Sequence, residues 1–204
     1  MNALVLKDIS LLKSAILYIA VFGIIFCAVF NEGATMCVIC AMLFASLISS
    51  TFSWDDQCQW NVFAVSTGIP RKAIVTSKFI SSVIFVLIGT VIGFIVTSAI
   101  WIATGQTDIT LVAQTSVLGF VLAMTVCGIS IATNYITGNS AKAQYVSIII
   151  LVISVALLVA ASNIFAEIMG GSMTAVIGLL VLVMAAILAA SYTVSCKRFQ
   201  RWNL

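Results

Sequence analysis

The sequence predicts an all-α membrane protein of six transmembrane helices with both ends in the cytoplasm. Of its 204 residues, 63% are hydrophobic and 7% charged, the apolar residues gather into six long runs, and all nine Lys and Arg residues fall on one side of those runs. The runs are Ser14 to Phe30, Ala34 to Phe52, Phe79 to Ala103, Leu111 to Thr133, Tyr145 to Asn163 and Met173 to Ser195. At about 1.5 Å rise per residue, each is long enough to cross most of a ~30 Å hydrocarbon layer.

The charges orient the spans. One side holds Lys7, Lys13, Arg71, Lys72, Lys78, Lys142, Lys197, Arg198 and Arg201, with only Asp8, Asp55 and Asp56 among them; the other holds Glu32, Asp108 and Glu167. Basic residues near span ends are retained inside, so the first side is the cytoplasmic one. Six spans and two inside ends agree in parity. The basic loops serve topology and attraction to anionic lipid, and no basic patch interleaved with aromatics suggests nucleic acid. Nearly the whole chain is spent on the bilayer, forming one transmembrane unit, residues 1–204, so soluble catalysis is expected from another polypeptide.

Taken in order, Met1 to Lys13 is helical in tendency, with Leu4, Val5, Ile9, Leu11 and Leu12 on one arc that Asp8 interrupts. It suits an elbow lying along the inner interface, or a simple extension of the first span. The first run exceeds a usual signal h-region, and Ala28-Val29-Phe30 is a poor cleavage site, so that span is expected to be retained. Cys27, Cys37, Cys40 and Cys127 lie within spans and there is no His, so the Cys37-x-x-Cys40 pair reads as small packing residues rather than a metal or redox site. Cys58 and Cys196 face the reducing side, where a stable disulfide is not expected.

The longest polar segment, Ser53 to Lys78, follows the second span on the cytoplasmic side. Ser53 reads as the N-cap of a short helix with Asp55 and Asp56 in its first turn, where carboxylates favour the positive dipole end. Trp60 and Phe63, three residues apart, then share a face. Pro70, the only proline, stands where a new helix starts, because its missing N–H costs nothing there. A mere hairpin needs far fewer residues, so the loop reads as a docking surface.

Gly89 and Gly93 in the third span, the row Gly119, Ala123 and Cys127 in the fourth, and Ala185, Ala186, Ala189 and Ala190 in the sixth let helix backbones approach closely, in a bundle core or a dimer seam. The outside connections, around residues 31–33, 105–110 and 164–172, are short; the last is apolar enough to dip back into the outer leaflet. Scattered hydroxyls, Thr90, Thr97, Ser98, Ser116, Thr125 and Ser130, offer an uncharged lining suited to amphipathic cargo, although each is also placed to bond its own helix backbone. No substrate-binding residue is assigned.

The opening Leu6-Lys7-Asp8 with Leu11-Leu12-Lys13, and the loop pattern Phe52-Ser53, Asp55-Asp56, Trp60, Gly68-Ile69-Pro70-Arg71-Lys72, Ile74-Val75, Ser77-Lys78, resemble small bacterial ABC transporter permeases of the type-2 exporter class. The similarity is nearest to the small permease subunits of phenol-soluble modulin and related peptide exporters. The resemblance implies a bacterial plasma-membrane exporter whose first cytoplasmic loop forms a coupling helix seated in a separate ATP-binding subunit, and a second permease copy or sister chain as partner. Carried over by position, Asp55, Asp56, Trp60 and Arg71 would make or orient that contact. With no G-x-x-x-x-G-K-[ST] loop, this chain binds no cofactor in that scheme, and ATP and Mg belong to the partner. Two other classes stand beside it. An ion-coupled transporter is weakened because the six spans contain no ionisable Asp, Glu, Lys or Arg, while an immunity or scaffold protein against a toxic peptide is separated from an exporter by dependence on an ATPase.

Overall fold

The computed structural model describes residues 2–30, 36–105, 109–138, 140–146, 148–149 and 173–202. Seven helices make up most of these: α1 (Asn2–Leu11), α2 (Lys13–Phe30), α3 (Met36–Gln57), α4 (Trp60–Ser66), α5 (Arg71–Ala103), α6 (Ile109–Thr137) and α7 (Met173–Gln200). Among the described residues four helices are long and apolar enough to cross a membrane, or five if α1 and α2, bent by 56° at Leu12, together make one span. The expected fifth span lies outside the described residues from residue 150 onward, as do the expected outer turns at residues 31–33 and 164–172.

α3 packs against both α5 and α6, which also meet each other, and α6 in turn carries α7. Lipid is as apolar as the side chains, so close contact rather than expulsion of water must hold such helices together. The small residues deliver it. A Cβ added at Gly93 would stand 2.9 Å from Cys40 Cβ and 3.2 Å from the Cys37 backbone, and one at Gly119 2.9 Å from Val38 Cα. Both glycine faces are therefore occupied by α3 within this chain. Cys37 and Cys127 join the same seams, their thiols donating to the carbonyls of Gly93 and Ala45 at 3.6 and 3.7 Å.

Of the boundaries that differ from the sequence expectation, two shape the polar loop. α3 does not stop at Phe52 but runs to Gln57, and Ser53, expected to cap a new helix, lies inside α3 with its hydroxyl donating to Ser49 O at 3.3 Å. Asp55 and Asp56 therefore occupy the last turn of α3 rather than the first turn of a short helix, at the dipole end less favourable to carboxylates. The break comes at Gln59, which takes left-handed backbone angles (φ 48°, ψ 36°) before α4 begins at Trp60. The next span starts at Arg71, eight residues before Phe79, with Pro70 in extended conformation as its N-cap. α5, at 33 residues, is about 50 Å long at 1.5 Å per residue, well beyond a ~30 Å hydrocarbon layer. The loop between these spans is thus mostly helix continued out of the bilayer.

Candidate functional site

Every described helix end that carries basic residues converges at one end of the bundle. There α1 lies against α5 with Leu4, Asp8 and Leu12 buried and Leu6 and Leu11 exposed. Asp8 does not interrupt the buried arc of the elbow, as its charge suggested; it is the middle of it, four residues from each buried leucine. A carboxylate is tolerated in that position only if paired. Lys78 from α5 donates to Asp8 Oδ1 at 3.0 Å, the Ser81 hydroxyl donates to Oδ2 at 3.1 Å, and Lys7 adds an ion pair at 3.2 Å.

Asp55, in the last turn of α3, closes the network. Lys7 Nζ donates to its Oδ1 at 2.6 Å, and Lys78 Nζ lies 2.7 Å from Oδ2 as an ion pair that is not aligned for a hydrogen bond. The side chains of Asp8, Asp55 and Lys78 are 2–3% exposed and that of Lys7 21%. Two acids and two bases thus form a buried neutral quartet joining α1, α3 and α5. Its edges are aromatic: Lys78 Nζ lies 5.2 Å from the Phe52 ring centre and Lys7 Nζ 4.5 Å from that of Trp60, the first residue of α4. A cation over an indole face is an attractive contact, so the quartet also holds α4.

The remaining expected residues divide by role. Asp55 turns inward and presents no carboxylate to a partner, so it can orient a docking contact but not make one. Trp60 is half-buried between Lys7 and Phe63, whose ring lies 5.5 Å away. Arg71 faces the C-terminal end of α7, where one guanidinium nitrogen donates to the carbonyls of Phe199, Gln200 and Trp202 at 3.0, 2.8 and 2.9 Å. Phe199 and Gln200 close the last turn of α7 and Trp202 lies just beyond it; Phe199 O also accepts the Trp202 N–H at 3.4 Å, and a guanidinium is a natural cap for carbonyls at a helix end. Asp56 alone of the four is exposed and acidic, with Oδ2 accepting from the Ser140 backbone N–H at 2.7 Å. Around it the end of α3, α4, Gly138 and Trp202 enclose a pocket of about 370 Å³. Trp54, Val62 and Phe63 stand exposed beside it, 48%, 45% and 56% accessible.

Sequence reasoning missed Lys7, Asp8 and Lys78 as site residues, having read them as topology charges or as a break in amphipathicity. Of the hydroxyls, Thr90, Ser116 and Thr125 bond carbonyls of their own helices, and Ser130 meets Ser49 of α3 at 3.0 Å. The hydroxyl oxygens of Thr97 and Ser98 are buried with no hydrogen-bond partner among the described residues.

Residues 3–200 match the family model described as ABC-2 family transporter protein. No curated protein and no solved structure matches the chain. A match over almost the whole length, on a chain of several packed apolar helices, shows that this protein belongs to the ABC-2 transporter family: a multi-pass integral membrane protein, in bacteria of the plasma membrane, whose family members generally work as permease subunits with an ATP-binding subunit.

Proposed function

We propose that this chain is the permease subunit of an ATP-driven exporter of amphipathic or hydrophobic peptides, working as a pair with itself or a sister chain. ATP and Mg are bound and hydrolysed on the separate subunit, and the end of the bundle that carries the basic residues faces the cytoplasm. The single observation that carries the reading is the mounting of α4. This seven-residue helix projects Val62 and Phe63 outward while its own base is held by the charged quartet and by the two spans that flank it.

That arrangement suits a lever. An ATP-binding subunit gripping α4 would move a body that includes the ends of α3 and α5 and the elbow α1, and closure of two such subunits would switch the seam between the permease chains from inward to outward access. Allosteric work of this kind requires a rigid element whose two positions differ in ATP affinity. Away from the quartet, an interior without charged side chains among the described residues, with hydroxyls mostly bonded to their own helices, supports an amphipathic or hydrophobic cargo over a small ion.

The test is recovery of the chain from its native membrane in mild detergent, followed by an ATPase assay on what accompanies it. A copurifying ATPase stimulated by amphipathic peptides is expected. Reproducible absence of any ATPase under several mild extractions would turn the reading to an immunity or scaffold protein. Within the complex, Asp56→Lys and Trp60→Ala should leave membrane insertion intact and weaken ATPase recovery; unchanged recovery for both would remove the coupling role of α4.

A further inference from the structure

We propose that the pocket beside α4 is a socket for one arginine of the ATP-binding subunit, with Asp56 as its counter-ion. The inference rests on the docking reading above and names the chemistry by which that docking is registered. The pocket is lined by Asp55, Asp56, Gln59, Asn61, Val62, Gly138 and Trp202. Two features single it out. Asn61 is nine-tenths buried, at 9% exposed, yet its amide makes no side-chain hydrogen bond among the described residues. Its amide is not among the polar atoms sealed off without a partner, so what it keeps accessible is open to the pocket it lines, placed to receive a group from outside. Asp56, meanwhile, is exposed, lines the same pocket and uses Oδ2 for the Ser140 N–H, so its second oxygen is left out of that bond.

The electrostatic setting gives the socket its selectivity. Among the described residues Asp56 is the one exposed carboxylate, and the same end of the bundle carries exposed Lys72, Lys197, Arg198 and Arg201. A basic side chain approaching this face is repelled everywhere except at Asp56, so one correctly placed cation sets the register of the whole contact. Arginine fits better than lysine: its planar fork can donate to the Asp56 carboxylate and the Asn61 carbonyl together while the Trp202 indole supplies a wall for its face. Val62 forms the apolar rim that continues into exposed Phe63.

The experiment titrates the purified ATP-binding subunit onto the full chain in lipid nanodiscs, comparing Asp56→Asn and Phe63→Ala. Asparagine keeps an oxygen for the Ser140 N–H, and melting curves establish that the variant is folded. Loss of a charge-assisted contact is expected to weaken binding on the order of tenfold and to flatten its salt dependence. Each surface arginine of the partner is then changed to lysine, and one such change is expected to weaken binding to the parent chain but to have no further effect on Asp56→Asn. Weakening by Phe63→Ala with none by Asp56→Asn overturns the socket and leaves the docking reading standing. Weakening by Asp56→Asn with no coupled partner arginine overturns the arginine assignment, reducing Asp56 to a general field effect. If neither variant weakens binding, the docking surface itself is refuted.

Discussion

Lys78→Met removes the more deeply buried of the two ammoniums that touch both buried acids. In the native protein Nζ lies 3.0 Å from Asp8 and 2.7 Å from Asp55, and the side chain is 2% exposed. At an effective dielectric of about 20, each contact represents about 6 kcal/mol of attraction, offset by a desolvation cost of several kcal/mol per ion. Most of that balance cancels in the intact quartet and reappears when one partner is lost, because two carboxylates then share only Lys7. A destabilisation of about 3–5 kcal/mol is expected. The assay is the unfolding midpoint of purified protein in mixed micelles titrated with denaturing detergent, against Lys72→Met at the exposed neighbouring site. The double change Lys78→Met with Asp8→Asn restores neutrality, leaving Asp55 paired with Lys7, and should be more stable than Lys78→Met alone. Additive losses in the double variant, or a Lys78→Met no worse than Lys72→Met, would refute the reasoning that the quartet is a buried, mutually compensating unit.

Two further outcomes follow from the packing. Arg71→Ala strips three carbonyls of their cap; since Arg71 is partly exposed, water replaces some of the loss, and about 1–2 kcal/mol is expected, read as faster amide hydrogen exchange confined to residues 197–202. Gly119→Ala forces a methyl to 2.9 Å from the α3 backbone at Val38 and should cost about 1–3 kcal/mol in the same unfolding titration, whereas Gly178→Ala, with nothing within 4 Å of the added atom, should be neutral or slightly stabilising.

The apolar centres of the described spans, the helix over residues 2–11, the Trp60–Phe63 face and the start of α5 after Pro70 were legible because they depend on local signals: apolar length, helical spacing and proline geometry. The end of α3 was misjudged because polar residues were taken to mark the end of a helix as well as the end of a hydrophobic run. Periodicity carried the better signal. Cys37, Ala41, Phe44, Ile48, Thr51 and Asp55 follow alternating steps of four and three along one buried stripe, which places Asp55 in phase with the core and Asp56 about 100° away. Ile74, Lys78, Ser81 and Phe85 repeat the pattern in α5, and Leu4, Asp8 and Leu12 keep steps of four through α1 to the bend that follows it. A charge in phase with an apolar stripe signals a buried partner. Which charges meet depends on how three distant segments dock, and no local pattern contains that.

Two adjacent acids in one turn therefore do different work. Asp55 is held from inside by Lys7 of α1 and Lys78 of α5, and Asp56 is held from outside by the Ser140 N–H. The last turn of α3 is gripped on both faces, and α4 hangs from it through only Cys58 and Gln59. Apolar contacts are non-directional and let a helix slide, but ion pairs near 3 Å resist displacement along any axis. A push on α4 consequently meets a stiff joint rather than a soft loop. Cation contact with Trp60 extends the same stiffness to the base of α4, so movement imposed there is passed to α1, α3 and α5 together. Because replacing such a buried network by apolar residues is often neutral or stabilising, its presence is better explained by this fixed geometry than by any contribution to fold stability.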